Sequence, residues 1–443
     1  MALREGEYNA DGSLVCLKEY SSRGDFLGTR LDYDENGNIV RLTYPTGVST
    51  EYEYDRENKM LPVTISQVSK EGERLAGTIE YDDRMLKKGE TDCNGNSFAY
   101  KYDPWLRLSE MRTPYDTGEV PAVRYEYNMH NDKKLMCAVT YQKIRTDAAD
   151  ESVMRTIVQC DGLGRTVRTA KQGEVRDADT GAKTKGWNVS GPVEYDIKGR
   201  TVKEYAPYFV AGEGTETIEN LNEEEVPFEY ATEHEYDERD RIVQNTLPDG
   251  SVWKTSYYIE ESYAQPRSVV RSCDAEGNVT QTKSDVRGNT VAMARYDADG
   301  KLMTHNRYEY DALSRMTVAY DAADNPVNVE YDMLGRRTLL SSVDSGCKKF
   351  YYDKSSGNLV QETDSVMDEK RLFINYEYDA FNRLLRVDYP GEMTDTVYVY
   401  GKSADRSNLA GRLAARTDTS GTVSYMYGKL GETTKETRTI SSH

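Results

Sequence analysis

The residues able to do acid–base, nucleophilic or metal chemistry are few and scattered. Four histidines occur, His130, His234, His305 and His443, and none has His-Glu-x-x-His spacing or sits in a triad motif. The cysteines Cys16, Cys93, Cys137, Cys160, Cys273 and Cys347 lie far apart, with no Cys-x-x-Cys and no zinc-like Cys/His cluster. That spacing predicts free, partly buried thiols rather than a disulfide framework. Asp297-Ala298-Asp299-Gly300 and Asp177-Ala178-Asp179-Thr180-Gly181 have some of the character of calcium loops. They lack the remaining ligands and the closing Glu, so turn formation accounts for them. Asp103-Pro104-Trp105 also takes turn positions. Neighbouring carboxylates of the kind used in glycoside hydrolysis follow from acidic composition alone. Asn188-Val189-Ser190 and Asn278-Val279-Thr280 are glycosylation sequons that matter only on a eukaryotic secretory route. The expectation is a chain that is not an enzyme, with no catalytic, cofactor-binding or metal-binding residue and no cofactor.

Composition narrows the class. The 76 acidic residues outnumber the 57 basic ones, for a net charge of −19. No basic footprint exists for nucleic acid. No run of 18 apolar residues predicts a transmembrane helix, and Met1-Ala2-Leu3-Arg4-Glu5-Gly6 lacks a signal-peptide core. Low hydrophobicity, 37% with 30% charged residues, is also a mark of disorder, but 35 tyrosines in register are not. A thin sheet with two wetted faces reconciles the two.

The tyrosines carry the pattern. Tyr-Asp begins at Tyr33, Tyr54, Tyr81, Tyr102, Tyr115, Tyr195, Tyr236, Tyr296, Tyr310, Tyr320, Tyr331, Tyr352 and Tyr378. Chance would give roughly three, so this is a repeat. Tyr-x-Tyr precedes the turn at Tyr52/Tyr54, Tyr100/Tyr102, Tyr125/Tyr127, Tyr308/Tyr310, Tyr376/Tyr378, Tyr398/Tyr400 and Tyr425/Tyr427, which puts two rings on one strand face.

Asp-x-x-Gly recurs at Asp34–Gly37, Asp92–Gly95, Asp161–Gly164, Asp196–Gly199, Asp274–Gly277, Asp285–Gly288, Asp297–Gly300, Asp332–Gly335 and Asp418–Gly421. Asp and Gly at these places suit a turn with a left-handed last residue. Gly is replaced at Asn58, Leu106, Asp240, Ser314 and Asn382, which predicts turns of poorer geometry. Cys stands in the Tyr place at Cys160 and Cys273. Pro lies twelve residues after Tyr33, Tyr102, Tyr195, Tyr236 and Tyr378, and with Gly47, Gly250 and Gly391 it marks a second turn. The unit is strand, Asp-x-x-Gly turn, strand, second turn. At ~20 residues per unit, roughly twenty hairpins follow.

Two stretches break the rhythm. Residues 128–190 hold longer, irregular repeats, and 210–229 form an acidic insertion with Glu223-Glu224-Glu225, expected as a solvated loop. No helix pattern of convincing length appears. The expectation is one all-β domain over 1–443, a strip of antiparallel hairpins.

These motifs resemble the RHS/YD-repeat family. The clearest matches are Tyr308-Glu309-Tyr310-Asp311-Ala312-Leu313-Ser314-Arg315, Tyr376-Glu377-Tyr378-Asp379-Ala380-Phe381-Asn382-Arg383-Leu384 and Tyr331-Asp332-Met333-Leu334-Gly335-Arg336. The resemblance implies a long β-sheet strip that spirals into a hollow shell, here a partial one cut from a longer array. It implies a structural, encapsulating role around a C-terminal toxin cargo in a secreted or cell-surface bacterial protein, with neighbouring repeats of the parent as partners. A second reading is a surface module whose Tyr-rich strand faces bind carbohydrate or a cell-surface protein. Open strand edges predict self-association.

Overall fold

The computed structural model describes residues 4–22, 24–128, 135–145, 152–219, 221, 230–261, 265–391, 395–405 and 407–440. His130, His443 and Glu223-Glu224-Glu225 lie outside them. The described residues are almost entirely antiparallel strand, as the alternation of tyrosine and polar residues dictates. A sixteen-stranded sheet runs from Arg4–Tyr8 to Tyr208–Ala211, and a twenty-stranded sheet from Val193–Tyr195 to Thr433–Ile440. Most strands pair with their neighbours in sequence, and neither order returns to its first strand. By compactness the chain divides into two units, Met1–Ala99 with Tyr308–His443, and Tyr100–Arg307.

One turn explains the repeat. Asp332 N donates to Arg336 O (2.9 Å), and Gly335 N donates to Asp332 O (3.1 Å). The Asp332 Oδ1 accepts from Arg336 N (2.9 Å), so the carboxylate clamps the loop it begins. The register slips at Glu330/Tyr331, a bulge that tightens the hairpin. Gly335 sits at φ 83°, where an L side chain is strained.

Non-glycine residues enter the same left-handed region at Leu106, Asp240, Ser314 and Asn382. Their hydrogen bonds are as short as those of the glycine turns: Asp103 N to Arg107 O is 2.9 Å, and Leu106 N to Asp103 O is 3.0 Å. The expected loss of geometry does not occur, because the Asp clamp holds the loop and the cost is confined to one residue's φ. At Asn58 the expectation is displaced. The loop from Asp55 to Leu61 is longer, and Lys59 takes the positive φ. Asp418–Gly421 is also different, a two-residue turn in which these residues pair directly. Tyr115-Asp116 precedes no hairpin of this kind; Asp116 folds its own loop by accepting from Thr113 N (2.7 Å) and Ala122 N (3.0 Å).

The irregular stretch contains the longest strand among the described residues, Thr166–Arg176. In this unit Cys137, Val139, Ile157, Ala170, Trp187, Val189 and Ile218 form a buried apolar cluster. Ile218 belongs to a one-turn helix, Glu216–Glu219, inside the segment expected as a solvated loop. Apolar anchoring overrides its acidity: Ile218 is fully buried, and the buried Gln159 and Arg168 donate to Ile218 O (3.3 Å) and Leu221 O (3.0 Å). A second short helix, Ser365–Glu369, is capped by the Asp364 carboxylate. The irregular region is also where the chain changes sheets: Lys183–Ser190 belongs to one, and Val193–Tyr195 begins the other.

Gly335→Val should lower unfolding stability by about 1–2 kcal/mol, the cost of left-handed backbone. The nearest neighbour of a Cβ there is Arg315 Cδ at 3.7 Å, so the effect is conformational rather than steric. Leu106→Gly should raise stability by about 1 kcal/mol. Urea denaturation of both variants checks the pair; midpoints equal to the parent's would contradict the turn assignment.

Candidate functional surface

Turns that carry arginine are tied to the next hairpin by the same three groups. The arginine after the turn places Nε and Nη2 on the second oxygen of the turn Asp: Arg336 lies 2.6 Å from Asp332 Oδ2 through each nitrogen. Its guanidinium then lies over the tyrosine of the following hairpin, Arg336 Cζ being 4.4 Å from the Tyr352 ring centroid. That tyrosine donates its hydroxyl to the carbonyl just beyond the arginine, Tyr352 to Arg337 O at 2.9 Å. Asp, Arg, ring and carbonyl thus close a loop between hairpins.

The arrangement recurs. Arg107 covers Tyr127 (4.2 Å), whose hydroxyl meets Leu108 O (2.9 Å). Arg241 covers Tyr257 (4.1 Å), bonded to Ile242 O (3.1 Å). Arg383 covers Tyr400 (4.2 Å), bonded to Leu384 O (3.1 Å). Where asparagine replaces arginine the clamp survives without the stack, as in Asn38 Nδ2 to Asp34 Oδ2 at 3.0 Å. The row also bridges the change of sheet. Arg165, at the end of a turn in one sheet, covers Tyr195 in the other (4.3 Å), and Tyr195 donates to Thr166 O (2.8 Å).

The electrostatics follow. The side-chain bond from Arg241 holds the Asp237 carboxyl below its usual range, and Asn38 does the same for Asp34. The Asp353 carboxyl, bonded by Ser356 N–H and then by the Ser355 and Ser356 hydroxyls, falls to about 2. Burial raises the Tyr352 and Tyr378 phenols, and burial with a bond to Glu194 pushes Tyr205 up to about 12. These tyrosines are neutral donors at physiological pH.

Among the described residues the reactive side chains form no catalytic or metal-binding group. His234 bonds Asn245, and all six cysteines are free, with Cys16 and Cys137 buried. Asp297 Oδ1 accepts from Asp299 N (3.1 Å) and Lys301 N (2.8 Å), a turn clamp. Asp103 does the same for Trp105 N and Arg107 N. The Asn278 amide of one sequon donates to Asp274 Oδ2 (3.0 Å). Among the described residues no group of His, Cys, Asp and Glu could hold a metal ion, and no helix is long and apolar enough to cross a membrane. What sequence reasoning missed is the arginine stack. Its signal was the recurrent basic residue after Gly, at Arg165, Arg200 and Arg336.

In the unit formed by the two chain ends, the stretches 1–99 and 308–443 meet through turns. Lys354 pairs with Asp25 (3.0 Å), Lys70 N donates to Ala380 O (3.0 Å), and Ala410 N donates to Asn94 Oδ1 (2.9 Å). Phe381 and Ala410, in turns, are buried.

Two family profiles match the sequence. The teneurin YD-shell covers residues 12–170, and a domain of unknown function (DUF6443) covers 133–256. The tRNA3(Ser)-specific nuclease WapA of Bacillus spizizenii is 30% identical over 134 residues, 29% of this chain and 6% of that protein. Among solved structures, TcdB2-TccC3 superposes over 99% of this chain with TM-score 0.75 and 17% identity. The Photorhabdus luminescens Tc holotoxin pore superposes over 98%, with TM-score 0.74 and 16% identity. The chain spans 24% and 26% of the length of those two chains.

Tyr352→Phe should cost about 1 kcal/mol by leaving Arg337 O without its donor. Arg336→Met combined with it should show coupling of about 0.5–1 kcal/mol in a double-mutant cycle, and strict additivity would contradict the stack. Acid should destabilise the fold. The depressed carboxyls stabilise it fully above the unfolded value of about 3.9, and that contribution is lost as pH falls through their folded values. Melting temperature should therefore hold from about pH 7 to 5 and drop steadily from about pH 4 toward 2, as scanning calorimetry would register.

Proposed function

Because the chain belongs to the RHS/YD-repeat family, we propose that it is a wall segment of a hollow β-shell, the enclosing part of a bacterial toxin-delivery protein that holds a C-terminal toxin cargo. The observation that carries this reading is the use of the motif residues. Asp, Arg and Tyr are spent on joining hairpin to hairpin, which is what a barrier needs and an active site does not. The wall is taken to be structural rather than enzymatic because its motif side chains are engaged with each other. The nuclease named among the relatives is far longer than the matched region, so its activity is not carried over. Residues 133–256 serve as the junction at which one sheet ends and the next begins. The parent protein is secreted, with neighbouring repeats and the cargo as its contacts.

The reading of Tyr-rich faces as a carbohydrate surface is less well supported. Motif rings such as Tyr352 are covered on one face by arginine, and their hydroxyls are committed to main-chain carbonyls.

Limited proteolysis of the full-length parent tests the proposal. The segment downstream of the repeats should resist protease in the native protein. It should become sensitive when Arg315, Arg336 and Arg383 are changed together to Ala. Equal digestion in both proteins would refute enclosure, and binding on a glycan array that is lost with exposed Tyr→Ala changes would favour the other reading.

A further inference from the structure

The motif turns share one hydrogen-bond frame, and the turn after Tyr400 keeps that frame around an insertion. Gly401 N donates to Arg412 O (2.9 Å) and Gly411 N to Gly401 O (3.0 Å), as Asp332 N does to Arg336 O and Gly335 N to Asp332 O. Gly411 sits at φ 75°, close to the 83° of Gly335. Two residues separate Asp332 from Gly335, but nine, 402–410, separate Gly401 from Gly411. The described residues of this arm are 402–405 and 407–410.

The arm reaches the other stretch of the chain-end unit. Ser403 N donates to Glu73 Oε1 (2.8 Å). Ala410, 2% exposed, is held by one side-chain amide as a strand residue is held by its neighbour: its N–H donates to Asn94 Oδ1 (2.9 Å), and its carbonyl accepts from Asn94 Nδ2 (3.3 Å). Asn96 Nδ2 donates to Asn408 Oδ1 (2.9 Å). Among the described residues no strand of 1–99 pairs with a strand of 308–443. Side chains and turns alone join the two stretches, so parting them breaks no ladder.

Docking carries costs that the regular turns do not have. Ser407 (φ 66°) and Asn408 (φ 62°) are consecutive non-glycine residues in the left-handed region. An arginine also loses a bond. Arg315 Nη1 donates to Asp332 O (2.7 Å) and Arg336 Nη1 to Gly357 O (3.0 Å), each in the next turn. Arg383, whose next turn carries the arm, has its Nη1 buried without a hydrogen-bond partner. Strain of this kind persists where surrounding contacts over-determine it, and here those contacts lie across the seam.

We propose that residues 407–410, with Ser403, are a latch. Docked on Glu73, Asn94 and Asn96, they hold 308–443 against 1–99; released, they let the two stretches part with every strand pair intact. The element has two states because each relieves what the other lacks. Docking makes the bonds to Glu73, Asn94 and Asn96, whereas undocking relaxes Ser407 and Asn408 and frees Arg383 Nη1 to find an acceptor. The latch acts whether or not the strip encloses a cargo.

Hydrogen exchange of the whole chain, resolved to single amides by mass spectrometry, tests this. Lys70 N, bonded to Ala380 O across the seam, is the reporter, since it lies outside the latch. Asn94→Ala should speed exchange at Ala410 and, by about tenfold, at Lys70. The amides of Thr396–Tyr400 and Leu413–Asp418 should stay as slow as in the parent. Replacing 402–410 by Ala-Leu, the pair at 312–313, should give the same increase at Lys70. Exchange at Lys70 equal to the parent's in Asn94→Ala would overturn the proposal, whether or not Ala410 speeds up, because the arm would then be a local contact. So would faster exchange at Lys70 that comes, in both variants, with lost protection in the flanking strands, which would mark general unfolding rather than release.

Discussion

The structure depends on a carboxylate that does two jobs at once. One oxygen of the turn Asp ties down the backbone of its own hairpin, and the other orients an arginine toward the next. A free guanidinium on a polar surface would sample many rotamers. Fixed by the carboxylate, it presents a flat cationic face to a ring at small entropic cost. The ring, held by arginine and main-chain carbonyl, then sets the position of the following turn. Order passes along the chain by contacts between neighbours, as it must in a protein so short of buried apolar residues.

This linkage also outlasts the sheet. Where the backbone ladder breaks between Lys183–Ser190 and Val193–Tyr195, Arg165 and Tyr195 still make their contact, as do Arg200 and Tyr236 at 4.6 Å. The strip can thus change sheets without losing the spacing of its turns. At that junction the sheet face is covered by the only sizeable apolar cluster among the described residues, around Trp187 and Ile218. Hydrophobic burial is used at the joint, and polar linkage along the run.

A strip built in this way has consequences for its surface. Its motif residues bond one another, and its acidic excess is partly engaged in turns, where it lends the backbone rigidity at neutral pH. The same economy leaves apolar side chains exposed at some turns, among them Met60 and Val343.

The hairpin rhythm was legible in the residues because its causes are local. Asp332, Gly335 and Tyr331 act within one turn, and their spacing in sequence is their spacing in space. The arginine stack was not, since the distance from arginine to ring runs from 15 residues (Arg412 to Tyr427) to 36 (Arg200 to Tyr236) with the length of the intervening loops. The anchoring of Ile218 was hidden by the acidic residues around it. Sequence alone determined the turns and the antiparallel order of the strands they join. Tertiary structure decided the sheet change and the docking of turn on turn, because Asn94 and Ala410 are 316 residues apart and no local pattern reports which distant turn a given turn will meet.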